Sequence, residues 1–70
     1  MKLVFISKED RAEDWRKHIL IQIPEIEFLV WPNELKHCDL TEIDYAIAWK
    51  PPVGVLKKLT GLKFIQSLGA

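Results

Sequence analysis

The amino-acid sequence predicts an α/β fold built on a parallel β-sheet. Four short apolar runs, rich in branched and aromatic side chains, are distributed along the 70 residues. A helical pattern separates the first run from the second, and another separates the third from the fourth. Strands that alternate with helices imply parallel pairing through right-handed crossovers. A chain of this length forms one small domain, which buries only roughly 60% of its unfolded surface.

The first two elements are a buried strand and an amphipathic helix. Residues 3–6 are all apolar, which is typical of a strand buried on both faces of a parallel sheet. Asp10 and Glu13 have the spacing of a capping box, in which each carboxylate accepts a hydrogen bond from the other residue's amide. Pro24 ends the helix. The residues that share one apolar face, within an arc of about 80°, are Ala12, Trp15, Ile19 and Ile23.

Two further strands are predicted after the helix. The second strand covers residues 26–31 and stops at Pro32. Residues 33–42 are mostly polar and indicate a connection with one helical turn. The third strand covers residues 45–49, because the two prolines that follow it cannot continue a central ladder.

A short helix and a fourth strand complete the predicted fold. The helix covers residues 53–59, with Pro52 in its first turn and Gly61 as its stop signal. The fourth strand covers residues 62–68.

The charge balance excludes several classes of partner. Ten Lys and Arg residues are matched by ten Asp and Glu residues, so the net charge is zero. Nucleic acid requires a clustered positive field, and an anionic membrane surface does too. No apolar run is long enough to span a bilayer, and the first residues lack the apolar core and cleavage site of a secretory signal. A single cysteine without an export signal suits the reducing cytoplasm, which is the expected location.

The polar residues predict no catalytic, metal or cofactor site. His37 and Cys38 are adjacent, so their side chains diverge, and His18 lies at the border of the helix's apolar face. No further residue completes a metal-ligand spacing. Residues 7–10 follow the first strand but contain no glycine, which a phosphate cradle needs for close approach of its amides.

Aromatic residues mark the carboxyl edge of the predicted sheet, where open parallel sheets bind their ligands. Trp31 and Trp49 both end strands at that edge, whereas Trp15 lies on the core-facing side of the helix. Trp49 either walls a ligand pocket or plugs the end of the core, and packing is favoured for Trp31. Lys50 follows at the same edge, where it either attracts an anionic ligand or is simply solvated.

Two segments late in the sequence resemble a known enzyme family. Residues 44–52 read Asp-Tyr-Ala-Ile-Ala-Trp-Lys-Pro-Pro and resemble the D-Y-A-x-x-W-x-P-P segment of bacterial glyoxylate/hydroxypyruvate reductases. Residues 62–70 resemble the next strand of these proteins and the opening of their L-G-A-G-V-D loop. These reductases belong to the D-isomer-specific 2-hydroxyacid dehydrogenases.

The resemblance implies a fold, a reaction and a domain organisation. It implies a flavodoxin-like substrate domain, of which residues 1–70 are the N-terminal part with strand order 2-1-3-4 and without the fifth strand. The Rossmann domain that binds NAD or NADP is then absent from this chain. The implied reaction is the NAD(P)H-dependent reduction of a small 2-oxo acid such as glyoxylate or hydroxypyruvate. The family's catalytic histidine, glutamate and arginine have no match here, so the chain alone is expected to be inactive and to bind no cofactor.

The resemblance also assigns four candidate substrate-binding residues. Trp49 matches a position that walls the substrate pocket, and Lys50 replaces the histidine expected in close relatives. Ala70 matches a loop position whose backbone amide binds the substrate carboxylate, and Gly69 permits the turn before it.

Two further expectations concern partners and the competing class of function. The predicted helices are too few to cover both sheet faces, so we expect the chain to self-associate, for example as a homodimer. The alternative to an enzyme fragment is a free-standing flavodoxin-like module, or a remnant, that binds a partner without enzymatic activity.

Overall fold

The protein is an α/β structure with a parallel four-stranded sheet. A computed structural model describes residues 1–8, 11–52 and 54–67. In chain order the elements are β1 (Lys2–Ile6), α1 (Ala12–Gln22), β2 (Glu27–Val30), β3 (Tyr45–Ala48) and β4 (Phe64–Ser67). The strand order is β2-β1-β3-β4 and every neighbouring pair is parallel, which confirms the predicted fold class and the order 2-1-3-4. This arrangement is consistent with part of a flavodoxin-like domain.

The strand β1 is buried on both faces, as its four consecutive apolar residues predict. Leu3, Val4, Phe5 and Ile6 are between 0% and 6% exposed. Because successive side chains of a strand point to opposite faces, Leu3 and Phe5 lie in one hydrophobic cluster and Val4 and Ile6 in another. The domain therefore has two small cores, one on each side of the sheet.

One of these cores lies beneath α1. The Phe5 ring lies 6.1 Å from the Trp15 ring and 5.8 Å from the Phe28 ring, measured between centroids. The predicted apolar face of the helix is confirmed, because all of its members pack on this cluster: Ala12, Trp15, Ile19 and Ile23. Within the described residues no helix is long and apolar enough to cross a membrane.

The start of α1 differs from the predicted capping box. Arg11 occupies the N-cap position and its side chain makes no capping hydrogen bond. Glu13 is therefore the second helical residue, and it lies one position too early for the reciprocal bond that a capping box requires. Its carboxylate instead accepts a hydrogen bond from Arg16 Nη1 at 3.3 Å. Asp10, the other half of the predicted box, lies outside the described residues.

The second core lies under chain connections rather than under a helix. Short 3-10 turns at Asn33–Leu35 and Leu40–Glu42 follow β2, and Leu35 and Ile43 from this stretch are buried. The helix predicted over residues 53–59 is only a 3-10 turn at Leu56–Lys58.

Gly61 has a different role from the one that the sequence predicts. It does not end a helix with a left-handed backbone, because Gly54 is the only glycine with positive φ among the described residues. A Cβ atom at Gly61 would lie 2.1 Å from the backbone oxygen of Thr41. The glycine therefore allows the chain entering β4 to pass directly against the connection that precedes β3.

The two edges of the sheet differ in how they are protected. On β2, the outward amide of Val30 donates to Glu34 Oε1 at 2.9 Å, and Arg16 Nη2 binds the same carboxylate oxygen. On β4, all four residues are exposed, and Phe64 and Ile65 remain 58% and 48% accessible. No described strand pairs with the outer side of β4. The open edge and bare apolar surface expected from the sequence are therefore present at β4.

We predict that residues 1–70 in isolation self-associate through β4, because an unpaired edge and exposed apolar side chains both favour association. Replacement of Phe64 by Gln should shift association to higher protein concentration in sedimentation velocity. Ile21→Gln is the matched control, since Ile21 is 74% exposed but lies on α1. A monodisperse monomer of the unaltered protein at micromolar concentration, with cooperative unfolding, would refute the prediction.

Candidate functional site

Trp31 and Trp49 flank the end of β1 at the carboxyl edge of the sheet. The Trp31 amide donates to the Phe5 carbonyl, and the Trp49 amide donates to the Ile6 carbonyl, each at 2.9 Å. Each tryptophan therefore adds one more hydrogen bond to the ladder after its own strand has ended. Their backbone positions are fixed by the most buried strand of the domain.

Trp31 is a packing residue that also borders a surface groove. It is half-buried and packs on the cluster that contains Val4 and Ile6. This confirms the packing interpretation favoured from the sequence.

Trp49 has a different environment. It is half-buried, and it is not among the side chains that pack on either core of the described residues. The ammonium nitrogen of Lys50 lies 5.3 Å from the centroid of the Trp49 ring. A cation over an exposed indole contributes about 0.5–1 kcal/mol. The edge thus carries an aromatic surface with a positive charge beside it.

Lys50 has a strained backbone. Its φ is 47°, the one positive value among the described residues other than glycine. A side chain in this region crowds the following carbonyl, and a residue before proline is further restricted to extended conformations. Such strain is found disproportionately at functional sites. Here it turns the chain sharply between Trp49 and the two prolines.

The other two predicted site residues, Gly69 and Ala70, lie outside the described residues. The last described pair of the β3–β4 ladder joins Ala48 to Ser67. Ala48 directly precedes Trp49, so the described end of β4 and the Trp49–Lys50 pair belong to the same edge of the sheet.

The titratable residues considered for metal or nucleophilic chemistry are dispersed. His18 lies exposed on α1, and His37 lies exposed between the two 3-10 turns that follow β2. Cys38 is half-buried, and its sulfur lies 3.9 Å from Lys2 Nζ. Among residues 1–8, 11–52 and 54–67, no three His, Cys, Asp or Glu side chains are grouped as metal ligands.

The residues of this chain do not fit the pyrophosphate of a nicotinamide cofactor. Such a group needs a glycine-rich turn between a strand and a helix, so that backbone amides approach the phosphates. The three glycines of the chain are at positions 54, 61 and 69, and Ser7 and Lys8 follow β1 instead.

A charged network at the opposite, amino edge was not anticipated from the sequence. Asp44 Oδ2 accepts from the Lys2 amide at 3.1 Å, and Lys63 Nζ lies 3.8 Å from Asp44 Oδ1. Lys2 Nζ donates to Glu42 at 2.9 Å, and this hydrogen bond raises the pKa of Lys2 above its ordinary value. These residues are far apart in sequence, so no local pattern predicts the network. It joins β1 to the segments that enter β3 and β4.

Two grooves open on the faces of the sheet. One, of about 340 Å³, lies on the α1 side between Ile23 and Phe64. The other, of about 390 Å³, lies on the opposite side and is bordered by Trp31, Lys36 and Lys58. Within the described residues, neither groove is lined by Trp49 or Lys50, so both are separate from the pair at the carboxyl edge.

The chain is similar to the glyoxylate/hydroxypyruvate reductase A of Photorhabdus laumondii subsp. laumondii. The two are 33% identical over 70 residues, which cover 100% of this chain and 21% of the reductase. The chain thus spans about a fifth of the length of the relative it matches. No protein-family model matches the sequence. No solved structure matches it either.

We predict that Lys50→Gly is more stable than Lys50→Ala. Both variants lose the contact with the Trp49 ring, but only alanine keeps a Cβ in the left-handed conformation. The difference should be about 1 kcal/mol in the free energy of unfolding, measured by urea denaturation. Equal stability of the two variants would mean that the folded protein does not hold residue 50 in this conformation.

Proposed function

We propose that this chain is the N-terminal part of the substrate domain of an oxidoreductase that reduces glyoxylate, hydroxypyruvate or a related small 2-oxo acid with NAD(P)H. The observation that carries the proposal is the 33% identity, along the whole chain, to a protein named glyoxylate/hydroxypyruvate reductase A. The parallel strand order agrees with it, because open parallel sheets bind ligands beyond the carboxyl ends of their strands. The same proposal assigns the protein to the cytoplasm.

In this proposal the carboxyl edge binds the substrate. The Trp49 ring forms an apolar wall of the pocket, and the Lys50 ammonium beside it attracts the negative charge of the 2-oxo acid. The backbone amide of Ala70 would bind the substrate carboxylate, and Gly69 would permit the turn before it, as the resemblance implies. An aromatic wall and a nearby cation orient a small anion without transferring a proton or a hydride.

The reacting groups are assigned to other parts of a longer polypeptide. Reduction of a 2-oxo acid needs a hydride donor, an acid that protonates the developing alkoxide, and a cation that clamps the oxo acid. His18 lies exposed on α1 and His37 lies exposed in the connection that follows β2, and neither matches the family's catalytic histidine, so the proposal assigns the acid to neither. The role of residues 1–70 is therefore to bind and orient the substrate.

The complete protein should oxidise NADH or NADPH when glyoxylate or hydroxypyruvate is added, as followed by absorbance. Purified residues 1–70 should show no such turnover and no dinucleotide binding in calorimetry, because they lack the groups that the reaction requires. Turnover by this chain alone, free of longer enzyme, would contradict the proposal. An intact mass of the native protein that ends at residue 70, with cooperative unfolding, would instead support a free-standing binding module.

Replacement of Trp49 by Ala in the active protein should raise KM for the 2-oxo acid about 10- to 200-fold, the usual effect of losing an apolar wall contact. Trp31→Ala is the matched control. Because Trp31 packs on the core, its replacement should lower the melting temperature and leave KM nearly unchanged. Steady-state kinetics and thermal unfolding of both variants distinguish the roles. An unchanged KM in Trp49→Ala, together with a lower melting temperature, would make Trp49 a core residue.

A further inference from the structure

We propose that the groove of about 390 Å³ on the side of the sheet opposite α1 binds a small organic anion with an apolar body, such as an arylalkyl carboxylate. The groove lies between the connection that follows β2 and the segment around the 3-10 turn at Leu56–Lys58. It is a separate site from the Trp49–Lys50 pair, and it does not depend on the proposed reductase function.

The interior of the groove is apolar and firmly supported. Leu35 and Leu59, which line it, are only 8% and 3% exposed. Trp31 lines it as well, and its amide is fixed to the end of β1. Because these side chains belong to the packed core, their surface is formed before any ligand arrives. A preformed apolar cleft with a few polar groups is the usual form of a small-molecule site.

The charge at the groove selects for an anion. Lys36 and Lys58 line it, are exposed, and form no ion pair with any described residue. No Asp or Glu of the described residues contributes to the lining. A lysine can lay its apolar stem along such a wall and keep its ammonium at the rim. Two ammonium groups above an apolar floor complement a carboxylate attached to a ring or short chain.

The carboxylates closest in sequence to Lys36 are already engaged elsewhere. Glu34 binds Arg16 and the Val30 amide. Asp39 accepts hydrogen bonds from the amide and the hydroxyl of Thr41, at 2.9 and 2.7 Å, and these bonds lower the pKa of Asp39. The carboxylates in the connection that follows β2 therefore do not neutralise the positive charge of the groove.

The size of the groove limits the ligand. Its volume of about 390 Å³ lies at the lower end of the range of about 300–1,000 Å³ that is usual for small-molecule sites. This volume suits one aromatic ring with a short carboxylate side chain better than it suits a dinucleotide. The groove on the α1 side is of similar size, but no Lys, Arg, Asp or Glu side chain of the described residues lines it.

The test is a titration of the ¹⁵N-labelled protein, in its own oligomeric state, with 3-phenylpropionate and with the neutral 3-phenylpropanamide. We expect saturable shifts of the Trp31 indole and Leu59 amide signals with the carboxylate, and binding at least several-fold weaker with the amide. Lys36→Gln and Lys58→Gln should each weaken carboxylate binding and leave amide binding unchanged. Lys57→Gln is the matched control, because Lys57 is an exposed neighbour outside the groove and should have no effect.

Three results would overturn the proposal. Equal affinities for the acid and the amide would show that the lysines do not select the anion. An effect of Lys57→Gln as large as that of Lys58→Gln would show that general surface charge, and not the groove, attracts the anion. Shifts confined to residues outside the groove, or no saturable shift at all, would show that the groove is not a binding site. The glutamine variants are surface substitutions, so their spectra should otherwise match those of the unaltered protein.

Discussion

The burial of β1 on both faces is the constraint on which the rest of this small domain depends. Each fully buried side chain of this kind contributes about 1.5–3 kcal/mol, but only while another layer excludes water from it. Leu3 and Phe5 require α1 on one side of the sheet. Val4 and Ile6 require the connections on the other. The carbonyl groups at the end of the same strand also anchor Trp31 and Trp49, so the candidate site depends on β1 as well.

The parts of the fold that follow from local sequence were predictable. Four consecutive apolar residues identify β1, and the spacing of Ala12, Trp15, Ile19 and Ile23 identifies the helix face, because each pattern reports burial directly. The prediction of a capping box was wrong because α1 starts one residue later than predicted, which changes every cap position. The role of Gly61 and the bond between Arg16 and Glu34 depend on segments that meet only after folding, so no spacing reveals them.

Some features of the candidate site were likewise predictable from the sequence, and others were not. The position of Trp49 and Lys50 at the carboxyl edge follows from the end of the third strand and could be predicted from the sequence. The left-handed backbone of Lys50 and the placement of its ammonium over the indole are three-dimensional facts with no sequence signature. Gly69 and Ala70 are candidate site residues on the family resemblance alone, and they lie outside the described residues. The groove with Lys36 and Lys58 brings together two separate connections, so it could be found only in the structure.

The unequal edges of the sheet determine what kind of assembly β-strand addition can build. At β2, the carboxylate of Glu34 occupies the outward amide of Val30, so an incoming strand finds this donor already bonded. At β4, no described strand competes for the outer side. A subunit with two open sheet edges can add further subunits at both edges and form fibres. A subunit with a single open edge can only pair that edge with the same edge of a second copy, about a two-fold axis. Strand addition at β4 would therefore pair two copies, and Glu34 disfavours a further strand at β2 because it already occupies one of the amides that such a strand would need.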